Sequence, residues 1–332
     1  MQEDDLPKKI RVSFGSAVIL GSADGRLDAE PTTVYMLTHK PGKCAASCAF
    51  CPQSKISEGR SDLLSRVIWP IFDTADVVER VEAAFADGKI RRVCIQALNY
   101  PRVQHHLVSL ARKIRSLSDV PVSVSCQPLC SEDMLRLVEA GVGRASIALD
   151  AVTKELFEEV KGTLVGGPYT WKGHLKALKE AIEVFGKNHV TTHLIAGLGE
   201  KESDFVAMIQ RCVDLGVYPA LFAFTPIPGT AMADHHPPSL EYYRRLQLAH
   251  YLITRQETRY EDMSFRDNRL ADYGLPREEL LSVTRTGEPF RTSGCPGCNR
   301  PYYNERPSGP VYNYPAKPTT TEIRQIEKTL DL

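Results

Sequence analysis

Residues 43–53 read KCAASCAFCPQ and set three cysteines, Cys44, Cys48 and Cys51, in a CxxxCxxC spacing. Thiols at this density are most often metal ligands, and sets made only of thiolates favour zinc or iron–sulfur clusters. Four thiolates would close a tetrahedral site, whereas three leave one metal position open for chemistry. The stretch therefore predicts a reactive metal centre, and the alternative is a small zinc site that takes a further ligand such as His39.

The composition excludes several classes of function. Lysine plus arginine (41) equals aspartate plus glutamate (41), so nothing indicates a broad attraction to nucleic acid or anionic membranes. No apolar run approaches the length of a membrane span, and the acidic N-terminus lacks the apolar segment of a signal peptide. We expect a cytoplasmic protein whose nine cysteines are reduced and grouped as ligand sets rather than paired in disulfides.

Strand-like and helix-like segments alternate from residue 33 onward. Strands are expected at 34–37, 93–95, 120–126, 145–149, 190–195, 220–224, 263–265 and 290–292, and helices at 73–87, 106–117, 132–140, 171–185, 201–215, 240–255 and 277–281. Alternation of this kind implies parallel pairing, and eight units close into a TIM-type (β/α)8 barrel. The predicted organisation is an α/β fold with an N-terminal extension at 1–32, a barrel at 33–298 and a C-terminal tail at 299–332. The chain is rich in Cys and Pro where barrel and tail join, and a short helix is expected at 323–330.

Active sites of such barrels form at the carboxyl ends of the strands. We expect all cysteines except Cys212 on that one rim: Cys44, Cys48, Cys51, Cys94, Cys126, Cys130, Cys295 and Cys298. Cys212 lies in a predicted helix and is expected to pack in the core.

Other residues at predicted strand ends carry two interpretations each. Asp150 follows the fourth strand and either caps the next turn or serves as a carboxylate of the site. Gly197 and Gly199 follow the fifth, as turn glycines or as positions that let the backbone approach an adenine ring. His235 and His236 stand in a proline-rich loop and are expected at the surface.

The cysteine stretch resembles the signature of the radical S-adenosylmethionine (SAM) superfamily, in which three cysteines hold a [4Fe–4S] cluster whose fourth iron binds SAM. The order of the other features resembles the biotin synthase-related branch. Cys94 and Cys126 match two ligands of the second, sulfur-donating cluster of biotin synthase, residues 148–150 match its ribose- and substrate-contacting Asn-Leu-Asp, and residues 193–200 match its adenine strand. The resemblance implies cofactor contacts from Gln96, Asp150, Ile195, Gly197, Gly199 and Glu200.

The chain also departs from biotin synthase. Thr191 stands where biotin synthase has a third auxiliary-cluster cysteine, Ala148 replaces its asparagine, and biotin synthase lacks a pair like Cys295 and Cys298. These differences indicate a second cluster rebuilt from other ligands, and a [4Fe–4S] rather than a [2Fe–2S] cluster. Residues 291–293 are similar to the Arg-Ser-Ser of ordinary lipoyl synthase, whose serine oxygen ligates the sacrificial cluster, so Ser293 is a catalytic candidate.

Across nearly the whole chain, and most of all in CPGCNRPYYNERP at 295–307, the sequence resembles the two-subunit lipoyl synthases of archaea and some bacteria. The resemblance implies two [4Fe–4S] clusters and SAM, with Cys126, Cys130, Cys295 and Cys298 as auxiliary ligands and Cys94 as a fifth candidate. It implies a sulfurtransferase in lipoate biosynthesis that thiolates an octanoyl-lysyl group.

The same resemblance implies particular partners. They are an octanoylated lipoyl carrier (glycine cleavage H-protein or dehydrogenase E2 lipoyl domain), a companion radical SAM subunit and an electron donor such as ferredoxin or flavodoxin. Two alternatives stay open: sulfur insertion into a free small molecule, as in biotin synthase, and a non-enzymatic iron–sulfur or zinc module.

Overall fold

Strands and helices alternate through most of the computed structural model, which describes residues 6–332. The strands within that range are β1 (Lys9–Val12), β2 (Thr33–Thr38), β3 (Leu63–Leu64), β4 (Val67–Ile68), β5 (Ile71–Asp73), β6 (Arg92–Gln96), β7 (Val122–Cys126), β8 (Val142–Ile147), β9 (Val190–Ala196), β10 (Val217–Ala223), β11 (Ser264–Arg266) and β12 (Arg269–Asp272). The helices are α1 (Phe14–Ile19), α2 (Thr74–Ala86), α3 (Val103–Leu117), α4 (Ser131–Glu139), α5 (Lys154–Val160), α6 (Trp171–Phe185), α7 (Glu202–Leu215), α8 (Leu240–Thr254), α9 (Arg277–Thr286) and α10 (Thr320–Thr329).

Eight of the strands form the central sheet, in the order β10-β9-β8-β7-β6-β2-β1-β5. Six of these strands pair in parallel: β2, β6, β7, β8, β9 and β10. At the other edge β1 pairs antiparallel with both β2 and β5. The predicted α/β class with a mainly parallel sheet is confirmed, and the parallel pairing brings the carboxyl ends of six strands to one side.

The apolar faces of the elements divide into two buried clusters. One gathers the inward residues of β1, β2, β6 and β7 with those of α2 and α3, and the other gathers β8, β9 and β10 with α5 to α8. Every residue of β2 is buried, which is typical of a strand covered on both faces. Cys212 belongs to the second cluster with 2% of its surface exposed, so its predicted core role is confirmed.

Two segments predicted as barrel strands take other conformations. Residues 264–266 pair with 269–272 in a separate hairpin, because Asp267 and Asn268 both adopt positive φ values (52° and 62°) and make a tight turn. Residues 288–290 form a 3₁₀ turn that contains Pro289, which lacks the N–H that a ladder needs. The last two predicted strands are therefore absent from the main sheet.

The chain on either side of the predicted barrel is folded against it. The apolar segment at residues 12–20 forms the end of β1 and the helix α1. In the tail, Arg244 of α8 donates hydrogen bonds to the carbonyl oxygens of Val311 and Tyr312, and its guanidinium lies 5.1 Å from the ring centre of Tyr314. The tail then ends in α10, close to the helix predicted at 323–330.

Candidate functional site

A cavity of about 290 Å³ lies against the parallel sheet and receives side chains from all six parallel strands. Successive strand residues point to opposite faces, so every second residue of β9 lines it: Thr191, His193 and Ile195. Residues of the C-terminal segment, including Cys295, Cys298, Arg300 and Tyr303, line it as well. The cavity therefore joins the sheet to a part of the chain that is distant in sequence.

The loop that carries Cys44, Cys48 and Cys51 follows the carboxyl end of β2 and is fixed to the segment after β6. Asn99 donates its backbone N–H to the Cys44 sulfur at 3.1 Å, and its carbonyl accepts from Ala45 N at 2.8 Å. All three thiols line the cavity. Burial raises the pKa of Cys51 to about 12, and the charge of Cys44 adds to that rise. The three predicted thiols thus lie together at the carboxyl ends of the strands.

Asp150 is placed beside this loop by a strained backbone. It has a φ of 67°, its carbonyl accepts from Ile195 N at 2.8 Å, and its carboxylate lies 2.6 Å from the Nζ of Lys161. Both side chains are less than a tenth exposed. Lys161 also donates to the carbonyl of Ala148 and sits 5.4 Å from the ring centre of Tyr169. Asp150 is therefore half of a buried ion pair on the cavity wall and more than a turn cap.

Cys295 and Cys298 both lie near the amino ends of the strands, opposite the three-cysteine loop. The loop between them is held by Thr32, which donates from its hydroxyl to the Gly297 carbonyl at 2.5 Å and from its N–H to the Asn299 side chain at 3.0 Å. Thr32 immediately precedes β2. The expectation of one common rim is therefore wrong for this pair. The segment at 290–292 does not add a strand to the sheet, so the chain runs past the amino ends of β2 and β6 instead.

The two thiols nevertheless point into the same cavity and meet Cys94 there. Cys298 Sγ lies 3.2 Å from the Tyr35 hydroxyl, and Cys295 Sγ lies 3.8 Å from the Ser123 hydroxyl. Tyr35 and Ser123 are the register partners of Cys94 on the two neighbouring strands. Burial, followed by the charges of Cys295 and Cys298, raises the pKa of the Cys94 thiol. The structure thus brings Cys94, Cys295 and Cys298 together.

The other predicted auxiliary ligands lie elsewhere. Cys126 ends β7 and lines the cavity, and burial alone raises its pKa to about 12. Cys130 is exposed at the start of α4, outside the cavity lining, with its sulfur 3.5 Å from a carboxylate oxygen of Asp133. Ser293 accepts a hydrogen bond from Leu221 N at 2.7 Å through its hydroxyl. The four thiols predicted as a set, Cys126, Cys130, Cys295 and Cys298, are not gathered in one place.

The remaining predicted cofactor residues divide between the cavity and a turn beside it. Gln96 and Ile195 line the cavity. Gly197 and Gly199 have positive φ values of 99° and 122°, and the Glu200 carboxylate accepts hydrogen bonds from the N–H groups of both glycines at 2.7 and 3.1 Å. A Cβ on Gly197 would also meet Pro238 at 2.8 Å. This turn at the end of β9 requires its glycines for its own backbone geometry.

Two basic side chains of the cavity, the partly buried His193 and the buried Arg300, were not predicted as site residues from the sequence. His193 lies 3.2 Å from the Ser146 hydroxyl, and burial lowers its pKa to about 4. The Arg300 guanidinium lies 3.8 Å from the ring centre of Phe222 and donates to the Ser293 carbonyl at 3.0 Å. Its charge lowers the pKa of Cys298 against the larger, opposite effect of burial. Both residues stand in stretches that carry the family resemblance, at 193–200 and 295–307, but the sequence alone indicates no role for either, and the fold reveals it.

Two features are absent from residues 6–332. No group of three or more His, Cys, Asp or Glu side chains in that range is arranged around a single metal ion. None of the helices described there has the length and apolar character needed to cross a membrane.

Comparison with known proteins decides the family. The sequence model of the radical SAM superfamily matches residues 40–212, just over half of the chain. This chain belongs to the radical SAM superfamily. Membership implies a [4Fe–4S] cluster and SAM, and the loop with Cys44, Cys48 and Cys51 falls inside the matched region.

Curated relatives of this radical SAM chain include biotin synthases. It is 26% identical to biotin synthase of Chlamydia pneumoniae over 242 residues, which is 70% of this chain and 68% of that protein. It is 26% identical to biotin synthase of Hydrogenobaculum sp. over 207 residues, which is 61% of this chain and 58% of that protein. The chain therefore spans between half and just over two thirds of the length of such relatives.

Two solved structures have a similar fold. Methylornithine synthase (PylB) superposes with a TM-score of 0.52 at 12% identity, over 72% of this chain and 65% of that one. The FeFe-hydrogenase maturase HydG from Carboxydothermus hydrogenoformans gives a TM-score of 0.52 at 17% identity, over 73% and 55%. At these identities the likeness confirms the radical SAM fold and nothing finer.

The first prediction concerns the loop thiols. Cys48→Ala should lose about four irons per chain after anaerobic reconstitution, because it removes a ligand of a thiolate-held cluster, and SAM cleavage should stop. Cys212→Ala, which removes a buried core thiol, should keep both. Iron and sulfide content and 5′-deoxyadenosine formation measure this, and a wild-type rate in Cys48→Ala would disprove the assignment.

The second prediction concerns acid stability. The pKa of His193 falls from 6.5 to about 4 on folding, so below pH 6.5 the unfolded chain binds the proton more readily. Above pH 6.5 the burial of neutral His193 costs no protonation energy. Between pH 6.5 and pH 4.5 it lowers the free energy of unfolding by roughly 2–3 kcal/mol. His193→Gln should reduce the acid loss by that amount in urea unfolding at pH 7 and pH 4.5. The exposed His235→Gln should not, and equal slopes in wild type and His193→Gln would contradict the prediction.

Proposed function

We propose that this chain is a radical SAM sulfur-insertion enzyme that thiolates an octanoyl group carried on a lysine of a lipoyl carrier protein. One observation carries the proposal: two separate thiol sets, Cys44/Cys48/Cys51 and Cys94/Cys295/Cys298, face one cavity from opposite ends. The biotin synthase relatives favour sulfur chemistry, and the C-terminal Cys-Pro-Gly-Cys segment favours the lipoyl branch.

The donors fit iron–sulfur clusters. The cysteines in both sets are free and partly or fully shielded from solvent. Burial raises the pKa of Cys48, Cys51, Cys94 and Cys298, so metal binding would be what deprotonates them. With clusters and SAM bound, the cofactors would supply a 5′-deoxyadenosyl radical at one end and sulfide at the other.

The distance between the two sets suits an alkyl substrate. Cys94 lies five residues before Asn99, whose backbone holds Cys44, and an extended chain rises about 3.3 Å per residue. Because β6 ends at Gln96, this rise sets an upper limit of roughly 17 Å between Cys94 and Asn99, a span within which part of an extended alkyl chain fits.

The cavity wall between the two ends is largely apolar. Phe222, Phe224 and Ile195 face it, and burial of each CH₂ group of an octanoyl chain there would be worth roughly 0.8 kcal/mol. A dry wall also protects a carbon radical from quenching by water. Lys161 and Asp150 place a polar pair at the carboxyl end, where the amide end of an octanoyl-lysyl arm would enter.

The relatives favour one rival reading, in which the substrate is a free small molecule as in biotin synthase. The two readings differ in whether the acyl chain must be attached to a protein. A companion radical SAM subunit and a ferredoxin or flavodoxin reductant belong to the lipoyl proposal.

The third prediction tests this function. Anaerobic incubation of the reconstituted chain with SAM, a reductant and an octanoylated lipoyl domain, with and without the companion subunit, should give a sulfur-bearing acyl chain by mass spectrometry. The Cys295→Ala/Cys298→Ala variant should lose about four irons, still cleave SAM and form no carbon–sulfur bond, because its second cluster is missing. Cys130→Ala is the matched control and should retain all iron and product.

Several outcomes would refute the proposal. The proposed sulfur insertion would be refuted if the Cys295/Cys298 pair bound zinc rather than iron. It would also be refuted if the double variant formed as much product as the wild type. Thiolation of a free acid with none on the carrier would favour the biotin synthase-like reading.

A further inference from the structure

Two hydroxyl groups of the central sheet lie against the two thiols of the Cys295/Cys298 pair. The Tyr35 hydroxyl of β2 is 3.2 Å from Cys298 Sγ, and the Ser123 hydroxyl of β7 is 3.8 Å from Cys295 Sγ. Both residues are almost fully buried, Tyr35 at 4% and Ser123 at 3% exposure. Each of the two thiols therefore has one hydroxyl partner on the sheet.

The neighbours of the two hydroxyls set the direction of these hydrogen bonds. Tyr35 accepts the backbone N–H of Arg300 at 3.0 Å. Ser123 accepts an N–H of the Arg92 guanidinium at 2.9 Å. Each oxygen thus already accepts one hydrogen bond, and its own proton is free for the sulfur. A thiolate bound to metal has no proton, so only the hydroxyl can donate in that state.

The strand register connects these contacts to Cys94. Tyr35 pairs with Cys94 across β2 and β6, and Cys94 pairs with Ser123 across β6 and β7. The three side chains therefore form one row across the sheet, with a sulfur in the centre and a hydroxyl on each side. The C-terminal segment brings the Cys298 sulfur to the Tyr35 hydroxyl and the Cys295 sulfur to the Ser123 hydroxyl.

We propose that Tyr35 and Ser123 are positioning residues that donate hydrogen bonds to the thiolates of Cys298 and Cys295 and hold them beside Cys94 as one metal-binding set. The inference rests on the proposed function only for the identity of the bound group, an iron–sulfur cluster. The three thiols are not arranged around a single ion within residues 6–332, so a thiophilic divalent ion used as a probe has to draw them together.

Two physical consequences follow. Removal of one donor leaves a buried thiolate without a charge-assisted hydrogen bond, so metal affinity falls. Hydrogen bonds to the sulfurs also draw negative charge away from the metal, which raises the energy of thiolate-to-metal charge transfer and the reduction potential of a bound cluster.

The experiment uses the full-length chain with Cys44, Cys48 and Cys51 replaced by alanine, so that the second set can be titrated alone. The probe is Cd²⁺ added to the metal-free protein under reducing, anaerobic conditions. Binding is followed through the thiolate-to-cadmium absorption band, and affinity is measured against a competing chelator. Circular dichroism melting checks that each variant is folded.

The fourth prediction is that Tyr35→Phe and Ser123→Ala each weaken Cd²⁺ binding by roughly tenfold, the fold-change that matches about 1.4 kcal/mol for one lost hydrogen bond to a charged group. Each should also move the absorption band to lower energy, which a merely structural effect would not do. Ser123→Thr keeps a hydroxyl and should restore the band. Tyr169→Phe and Ser146→Ala remove buried hydroxyls that contact neither tail thiol and should change nothing.

Affinities within twofold of the parent and an unmoved band in both variants would overturn the inference. If Tyr35→Phe fails to fold, Ser123→Ala alone decides. A wild-type chain that forms no second iron–sulfur cluster, but whose Cd²⁺ affinity follows the two hydroxyls, would remove the proposed function and leave this inference standing.

Discussion

The parallel register of β2, β6 and β7 is the constraint on which the site depends. It fixes Tyr35, Cys94 and Ser123 in one row across the sheet. Thr32, before β2, lies at the amino ends of the strands, and the chain after β2 leaves from their carboxyl ends. The three-cysteine loop follows β2 and so can only reach the carboxyl ends of the strands. A second sulfur site that includes Cys94 must lie deeper in the same cavity.

The C-terminal segment completes that deeper site from outside the sheet. It is anchored on both sides of the thiol pair. Before the pair, the Leu221 N–H donates a hydrogen bond to the Ser293 hydroxyl, and after it the Arg300 guanidinium packs against the ring of Phe222. Farther along, the Arg66 side chain donates to the carbonyl of Tyr302, and Arg244 holds residues 311 and 312. These contacts place two thiols from the end of the chain against a strand near its beginning.

Charge is distributed unequally between the two ends of the cavity. At the carboxyl end the Lys161–Asp150 pair is compensated and buried. At the amino end Arg300 and Arg92 bring positive charge next to sulfur, which suits thiolates that carry metal. The two ends of the cavity therefore differ in charge, with a compensated ion pair at one end and two arginines beside the thiols at the other.

Much of this arrangement could be predicted from the sequence. Periodicity located the six parallel strands and most helices, and the CxxxCxxC spacing located the first thiol set at the correct strand end. The side of the sheet reached by Cys295 and Cys298 could not be predicted, because it depends on a proline-containing turn at 288–290 that looks like the start of a strand. The roles of Lys161, His193 and Arg300 were missed because the sequence does not show what a basic side chain contacts until tertiary packing places it.

The central claim is that two thiol sets hold iron at opposite ends of one cavity. Anomalous diffraction at the iron edge from an anaerobically reconstituted crystal tests it most directly. The account predicts two iron peaks, one bounded by Cys44, Cys48 and Cys51 and the other by Cys94, Cys295 and Cys298. A single peak, or a second peak beside Cys130, would contradict it.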